Sequence, residues 1–254
     1  MDEARRQHYL KAMGVQLWEL RDRGEGTCRG EFIRPSDADS GRMNSPLQAP
    51  AEEAHAPPVE EKPDFAAVAR AWGALEEEVA ACVGCPLHAT RTHTVFGSGN
   101  PQAEWMVIGE APGEQEDLQG KPFVGRAGQL LTEMLRAIGL DREKDVFITN
   151  VLKSRPPGNR DPKPEEVAAC EPFLKRQIEW IKPKIILSVG RISAQNLLKT
   201  DTPIGKLRGK VHHYQGIPLV VTYHPAYLLR SPLEKRKAWD DLCLARRTYA
   251  AAER

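Results

Sequence analysis

The chain has 254 residues, of which 41% are hydrophobic and 28% charged, and its formal net charge is +1. This length suits one α/β domain with an appendage, and the near-zero charge excludes a protein that attracts nucleic acid through bulk charge alone. No apolar run approaches the roughly 20 residues of a membrane helix. The charged first residues also lack the apolar core of a secretory signal, so we expect a cytoplasmic protein without membrane contact.

The first 63 residues are predicted to form two segments outside the main domain. Residues 1–22 hold an amphipathic stretch in which apolar residues recur at helical spacing beside Trp18. Residues 23–63 are rich in Pro, Gly, Ser, Ala and Glu without a sustained period, which predicts a flexible linker. Acidic residues outnumber basic ones in these segments, so a mild positive excess falls on residues 64–254, the predicted main domain.

Helical and strand patterns alternate from Asp64 onward, beginning with a helix over Phe65–Ala81 that Asp64 is placed to cap. Buried strands are predicted at Trp105–Ile108, Val146–Thr149, Lys184–Val189 and Leu219–Thr222, and further helices at Ala127–Ile138, Glu165–Ile181, Ile192–Leu198 and from about Pro232 to Ala251. This alternation predicts an α/β fold with a parallel sheet covered on both faces. Ligands of such sheets bind at the carboxyl ends of the strands, so the segments that follow the strands are candidate site loops.

An acidic, glycine-rich turn follows the first strand and reads Gly109-Glu110-Ala111-Pro112-Gly113. Its backbone can approach a ligand closely, although an acidic loop between a strand and a helix is also an ordinary feature. Phe123 lies in the polar, glycine-rich loop 120–128. Its ring offers either a face for a planar ligand or an anchor for the next helix.

Asn150 follows the second strand, so its amide can face the same site. One donor and one acceptor match the N3–H and O4 edge of uracil and mismatch cytosine, while a turn-forming role is the ordinary alternative. Arg155 and Arg160 lie further along this loop and suit phosphate contacts, or simply keep the loop solvated.

His224 follows the fourth strand and begins the segment His-Pro-Ala-Tyr-Leu-Leu-Arg. A histidine can donate a hydrogen bond to a developing oxyanion, although a single histidine is more often structural. The residues after it, Leu228, Leu229 and Arg230, predict an exposed apolar wedge with a cation beside it.

Together and in this order, these motifs resemble the family-4 uracil-DNA glycosylases. The matching stretches are Gly-Glu-Ala-Pro-Gly-x-x-Glu-Asp, Phe-Val-Gly-x-Ala-Gly, Thr-Asn-Val-x-Lys-x-Arg-Pro-Pro-Gly-Asn-Arg and His-Pro-Ala, within residues 72–247. The resemblance implies a three-layer α/β/α sandwich with a central four-stranded parallel sheet. It also implies a hydrolase for base excision repair that cleaves the N-glycosidic bond of deoxyuridine in DNA, giving free uracil and an abasic site.

The resemblance also implies roles for individual residues. Gly109, Glu110 and Ala111 would form the uracil and water site, Phe123 would stack on the base, Asn150 would read its edge, His224 would stabilise charge on uracil O2, and Leu228 to Arg230 would enter the DNA. We therefore expect Glu110 and His224 to be catalytic. A better-known glycosylase family has an aspartate at the position of Ala111, so the residue that activates water stays open.

The same resemblance implies a [4Fe–4S] cluster, which four cysteine thiolates usually hold. Cys82, Cys85 and Cys170 match three of the family positions, and the fourth position is Ser154 in this chain. Retention of a cluster, including a three-cysteine site, and loss of the cluster both stay open. Cys28 lies in the predicted linker and reaches the other cysteines only by folding back.

Residues 8–21 resemble the start of the psi subunit of the bacterial DNA polymerase III clamp loader, through the pattern Leu-x-x-Met/Leu-Gly-Val/Ile-x-x-Trp-x-Leu-Arg. A short amphipathic peptide on a tether suits partner docking, while a helix folded onto its own domain is the alternative. The resemblance opens a second hypothesis, a non-catalytic replicase accessory with a degenerate glycosylase domain. A nucleotide-binding protein is disfavoured because the Gly109 loop lacks Gly-x-Gly-x-x-Gly spacing. We expect a monomer.

Overall fold

A computed structural model describes residues 65–252 of the chain. The predicted docking peptide 1–22, the predicted linker 23–63 and Asp64 lie outside these described residues. Within the described residues the strands are β1 Ser98–Gly99, β2 Trp105–Gly109, β3 Val146–Asn150, β4 Ile185–Val189, β5 Val211–Tyr214 and β6 Ile217–Thr222. They form one six-stranded sheet in the order β1-β3-β2-β4-β6-β5.

The four central strands, β3, β2, β4 and β6, are mutually parallel, which confirms the predicted four-stranded parallel sheet. The two antiparallel edge strands, β1 and β5, were not predicted. Strand β1 has only two residues, and β5 reads Val-His-His-Tyr with only Tyr214 buried. Neither edge strand has the continuous apolar run by which buried strands are recognised.

Eight α-helices lie within the described part of the chain. They are α1 Phe65–Ala81, α2 Glu114–Gln119, α3 Arg126–Ala137, α4 Pro164–Ile181, α5 Arg191–Leu198, α6 Ile204–Leu207, α7 Pro225–Arg230 and α8 Lys235–Ala252. The five longer predicted helices correspond to α1, α3, α4, α5 and α8 within a few residues. The short helices α2, α6 and α7 were missed because one or two turns carry too little periodicity to be recognised. None of these helices is long and apolar enough to cross a membrane.

Side chains of the central strands alternate between two cores, one on each face of the sheet. Trp105 and Val107 of β2 pack with α3 and α8, whereas Met106 and Ile108 pack with α1, α4 and α5. Because successive side chains of a strand point to opposite faces, one apolar run covers both faces of the sheet. The predicted α/β/α sandwich is therefore confirmed.

Parallel pairing brings the carboxyl ends of the central strands to one rim of the sheet. Gly109 at the end of β2 pairs with Asn150 at the end of β3, and Val189 at the end of β4 pairs with Thr222 at the end of β6. Three of the four loops that leave this rim carry the motifs singled out in the sequence.

Candidate active site

Gly109 lies at the centre of the rim, where two functional side chains meet. A Cβ atom on Gly109 would lie 2.4 Å from Asn150 Oδ1 and 2.6 Å from Cζ of the Phe123 ring. These distances are far below van der Waals contact, so only a residue without a side chain lets the amide and the ring approach each other here. The structure thus brings together three of the predicted site residues.

Phe123 is held in this position by its own loop. Its φ of +53° lies in the left-handed region that side-chain-bearing residues rarely adopt, and its ring is 6% exposed. The carboxylate of Glu116 accepts hydrogen bonds from the backbone N–H of Val124 at 2.9 Å and of Gly125 at 3.0 Å. Arg142 donates to the carbonyl oxygen of Phe123 at 2.8 Å. These contacts offset the cost of the backbone conformation and fix the direction of the ring.

Sequence reasoning did not assign a role to Glu116 or Arg142. Glu116 lies in the Gly-x-x-Glu-Asp part of the first motif, so its position in the motif was a usable signal. Arg142 lies in the loop after α3 and has no motif around it. Its contribution became visible only because the loop folds back onto the Phe123 backbone.

Asn150 is 1% exposed, and its Oδ1 atom has no hydrogen-bond partner among the described residues. An amide oxygen that is buried without a donor costs roughly 1–3 kcal/mol. Such a cost is typical of a group that is kept ready for a ligand. The predicted reading role of Asn150 therefore has a free acceptor in the right place.

A buried lysine holds the backbone from which Asn150 extends. The ammonium of Lys153 donates to the carbonyl oxygen of Asn150 at 2.9 Å, to Thr149 Oγ1 at 2.6 Å and to Gln177 Oε1 at 2.6 Å. Burial lowers the pKa of Lys153 to about 7. The Lys153 ammonium thus donates to three acceptors, and we interpret it as a support for Asn150. The sequence did not indicate this role, because most lysines lie on the surface and nothing in the motif marks Lys153 as buried.

His224 is the N-cap residue of helix α7 and lies near Phe123, with their ring centroids 5.7 Å apart. The backbone N–H of Ala226 donates to His224 Nδ1 at 3.1 Å, so the ring proton resides on Nε2. Burial lowers the pKa of His224 to about 4, and the nearby Arg230 adds to the effect. The imidazole is therefore neutral at physiological pH and can donate from Nε2. Gly190 lies against it, since a Cβ there would be 3.1 Å from His224 Cβ.

Glu110 is half-buried at the beginning of the first loop. The pKa of Glu110 is raised to about 7, chiefly by burial and also by the charge of Asp161, while Arg191 acts in the opposite direction. Its backbone carbonyl accepts a hydrogen bond from Leu152, which ties the loop to the segment after β3. A carboxyl group with a pKa near neutrality can serve as a base or as a stabilising anion. Ala111, the next residue, is half-buried and offers no ionisable group.

The expectation that Leu228 is exposed is wrong. Leu228 is 1% exposed and lies in the core cluster shared with α3 and α8, because helix α7 turns this side chain towards the sheet. Leu229 is half-buried and Arg230 is exposed. Three residues beyond α7, Leu233 is 92% exposed in a single turn of 3-10 helix, Pro232–Glu234. Leu233 is thus the most exposed large apolar side chain of the described residues.

The two arginines of the loop after β3 make contacts within the protein. Arg155 donates from Nε to Asn159 Oδ1 at 2.8 Å. Arg160 forms an ion pair with the buried carboxylate of Glu166, at 2.9 Å between one nitrogen–oxygen pair. This pair lowers the pKa of Glu166 and stabilises the beginning of α4. Both arginines keep partly exposed side chains.

The predicted cluster residues lie in the loop after α1, in the segment after β3 and on α4. Cys82 and Cys85 are half-buried in the loop after α1, Cys170 is buried on α4, and Ser154 is 3% exposed. Burial raises the pKa of the Cys170 thiol. The hydroxyl oxygen of Ser154 accepts a hydrogen bond from Arg91 at 3.1 Å. Among the described residues, no three His, Cys, Asp or Glu side chains are grouped as a metal-ion site. The residues present do not fit a cluster that requires four thiolates.

The chain is similar to known proteins over most of its described residues. Residues 96–243 match the model of the Uracil DNA glycosylase superfamily. The chain is 51% identical over 166 residues to the type-4 uracil-DNA glycosylase of Archaeoglobus fulgidus, covering 62% of this chain and 83% of that protein. It is also 51% identical over 176 residues to the type-4 enzyme of Saccharolobus solfataricus, covering 66% of this chain and 81% of that protein.

The chain belongs to the type-4 uracil-DNA glycosylases. The superfamily match begins at Phe96 and ends at Cys243, so it includes the whole parallel sheet and every residue of the rim described above. This membership confirms the family resemblance of the four motifs. The cysteine positions Cys82 and Cys85 precede the matched residues.

We expect His224 to stay neutral as the pH falls from neutrality to about 4. Since its pKa in the folded state lies below the usual value of 6.5, the unfolded chain takes up the proton first. The fold should therefore lose stability between about pH 6.5 and pH 4. NMR titration of labelled histidine rings, with His224→Gln to assign the resonance, measures this. A His224 midpoint near 6.5 would contradict the prediction.

Proposed function

We propose that this protein is a uracil-DNA glycosylase that hydrolyses the bond between uracil N1 and deoxyribose C1′ in DNA. The observation that carries this proposal is the buried, unpartnered Oδ1 of Asn150 beside the Phe123 ring and across from His224. The products would be free uracil and an abasic site. The reaction would open base excision repair.

Recognition of uracil would depend on the amide of Asn150. Its Oδ1 would accept from uracil N3–H and its amide N–H would donate to O4, whereas cytosine presents the opposite pattern at both positions. The Phe123 ring would support one face of the base. A base inside a duplex cannot reach this site, so it would be flipped out at a cost of a few kcal/mol.

Cleavage would pass through an oxocarbenium-like sugar and a uracil anion. The neutral His224 would donate its Nε2–H to uracil O2, where the leaving anion concentrates its charge. A hydroxide equivalent from water would add to C1′, and the remaining proton would be taken up by the released uracil or by solvent. A neutral imidazole suits this role because its Nε2–H stabilises the uracil anion through a hydrogen bond, without transfer of the proton.

Glu110 would act on the sugar and water side of the base. Its ionised carboxylate would stabilise the sugar cation or accept a proton from the attacking water. Because Ala111 follows it, no second carboxylate stands at the neighbouring position of the loop. The pKa of about 7 means that the ionised fraction of Glu110 rises through neutral pH.

The DNA-entering segment would present Leu233 rather than Leu228. Leu233 stands almost fully exposed between Arg230 on one side and Lys235 and Arg236 on the other. The one acidic neighbour, Glu234, is paired with Lys237. An exposed apolar side chain near cations suits a duplex, because it fills the stack that the flipped base leaves and the cations lie near phosphates. Leu229 and Arg230 would contact the strand beside it, and Arg155 and Arg160 remain proposed phosphate contacts.

The other hypothesis, a replicase accessory with a degenerate glycosylase domain, is favoured by one observation, Ser154 at a family cysteine position. The intact arrangement of Asn150, Phe123 and His224 favours an enzyme. The clamp-loader contact through residues 8–21 falls outside the described residues and stays a prediction, as do the cytoplasmic location and the monomeric state. A tethered docking peptide and an active glycosylase are compatible.

Uracil release should depend on Asn150 and His224. We expect the full chain to release uracil from an oligonucleotide with one deoxyuridine, detected as strand cleavage after alkali. Asn150→Asp cannot donate to O4 and His224→Ala cannot donate to O2, so each should lower the rate by roughly 100-fold or more. Asn196→Asp, the same change on α5, is the control and should retain the rate. A wild-type rate in both site variants would refute the proposal.

The rate should also follow the ionisation of Glu110. Because its pKa is raised to about 7, kcat/KM should increase as the pH rises through this value. Glu110→Gln should lower kcat/KM and flatten the profile in this range. Single-turnover kinetics over a pH series measure both. Undiminished turnover by the glutamine variant would exclude the assigned role.

Leu233 should matter for duplex DNA and not for single strands. Without the Leu233 side chain, nothing fills the place in the stack that the flipped base leaves, and the base returns to the duplex more readily. Leu233→Ala should therefore slow uracil release from a duplex by roughly tenfold or more. The rate on a single-stranded oligonucleotide should be unchanged, since no stack must be opened. Leu118→Ala, at a residue 53% exposed on α2, is the matched control. Equal rates of wild type and variant on both substrates would show that Leu233 does not enter the DNA.

A further inference from the structure

The loop that carries Cys82 and Cys85 is held by ordinary protein contacts. Leu87, in the short 3-10 helix Pro86–Ala89, is 1% exposed and belongs to the core cluster of α1 and α4. At the end of this loop the Arg91 guanidinium donates to the carbonyl oxygen of Ala80, at the end of α1, at 3.0 Å. The loop is therefore fixed at its middle and at its end.

Arg91 also reaches the segment that follows β3. Its second nitrogen donates to Ser154 Oγ at 3.1 Å. The neighbouring residue is fixed as well, because the carbonyl oxygen of Lys153 accepts from the N–H of Val95 at 2.8 Å. Arg91 thus connects the end of α1 with the segment after β3. It does so from the end of the loop that carries Cys82 and Cys85, two of the four ligand positions of the family.

Ser154 makes a poor substitute for a thiolate at this position. Metal ligands bind in their deprotonated form, and an alcohol gives up its proton far less readily than a thiol. The Ser154 oxygen is buried and already accepts a hydrogen bond from a guanidinium. An iron ion would have to displace this donor and bind a harder ligand than the thiolates that iron–sulfur clusters select.

We propose that the Arg91–Ser154 hydrogen bond replaces the iron–sulfur site of the family, whose four positions are Cys82, Cys85, Ser154 and Cys170 in this chain. We propose also that the chain folds without bound iron. The three thiols of Cys82, Cys85 and Cys170 are then free. In this arrangement the half-buried Cys82 and Cys85 are open to thiol reagents in the folded protein, whereas the buried Cys170 reacts only on unfolding. The proposal concerns the fold and holds whether or not the glycosylase assignment is correct.

Iron content tests the proposal directly. The full chain, purified without oxygen, should contain no stoichiometric iron or acid-labile sulfide and should show no visible cluster absorbance. Ser154→Cys restores a fourth thiolate and should gain iron, sulfide and absorbance, and a second change, Cys85→Ala, should abolish the gain. Ser231→Cys, which adds a thiol away from these four positions, is the control and should stay iron-free. Stoichiometric iron in the wild-type chain would overturn the proposal, and an iron-free Ser154→Cys would overturn the assignment of Ser154 as its cause.

Thermal unfolding tests the hydrogen bond. Arg91→Ala and Ser154→Ala should each lower the Tm, by about 3 °C for every 1 kcal/mol lost. The double variant should lose less than the sum of the two, because both single changes break the same contact. Arg236→Ala, at an exposed arginine, should leave the Tm unchanged. Additive losses of Tm would show that the Arg91–Ser154 hydrogen bond does not stabilise the fold. A wild-type Tm that falls when an iron chelator is added would show that the chain holds iron.

Discussion

The close approach at Gly109 is the constraint on which the candidate site depends. The register of β2 against β3 places Gly109 directly beside Asn150, and the missing side chain leaves room for the Phe123 ring. The order of the central strands then brings the end of β6, and with it His224, to the same rim. The site proposed for one planar base depends on these three features, because together they bring Asn150, Phe123 and His224 to one rim of the sheet.

The residues of this proposed site are held by a surrounding layer of charged and polar groups. Glu116 and Arg142 fix the backbone of the Phe123 loop from two directions, and Lys153 fixes the carbonyl of Asn150. The backbone N–H of Ala226 fixes the proton of His224 on Nε2. This support lets Asn150 keep an acceptor without a partner among the described residues, a state that an unsupported side chain would leave by forming local hydrogen bonds.

Burial sets the charge of each working group. It keeps His224 neutral, raises the pKa of Glu110 to about 7 and lowers that of Lys153 to the same region. In the proposed mechanism, His224 is the neutral donor to the leaving base and the ionised fraction of Glu110 is the anion on the sugar side. Near the family cysteine positions, the Arg91 guanidinium joins the end of α1 to the Ser154 hydroxyl, and the proposed loss of iron rests on this contact.

The sequence by itself determined the four parallel strands, the longer helices and the identities of Gly109, Phe123, Asn150 and His224, because apolar runs and ordered motifs are local signals. It also identified Ser154 as the departure from the family cysteines. Only the tertiary structure decided that Leu228 is buried and Leu233 exposed, since this depends on which face of the six-residue helix α7 meets the core and on the 3-10 turn that follows it. The supports Arg142, Lys153 and Arg91 also appeared only there. Arg142 and Arg91 act on oxygens distant in the sequence, and the position of Lys153 depends on the distant Gln177 amide as well as on its near neighbours. Such distant contacts leave no pattern along the chain.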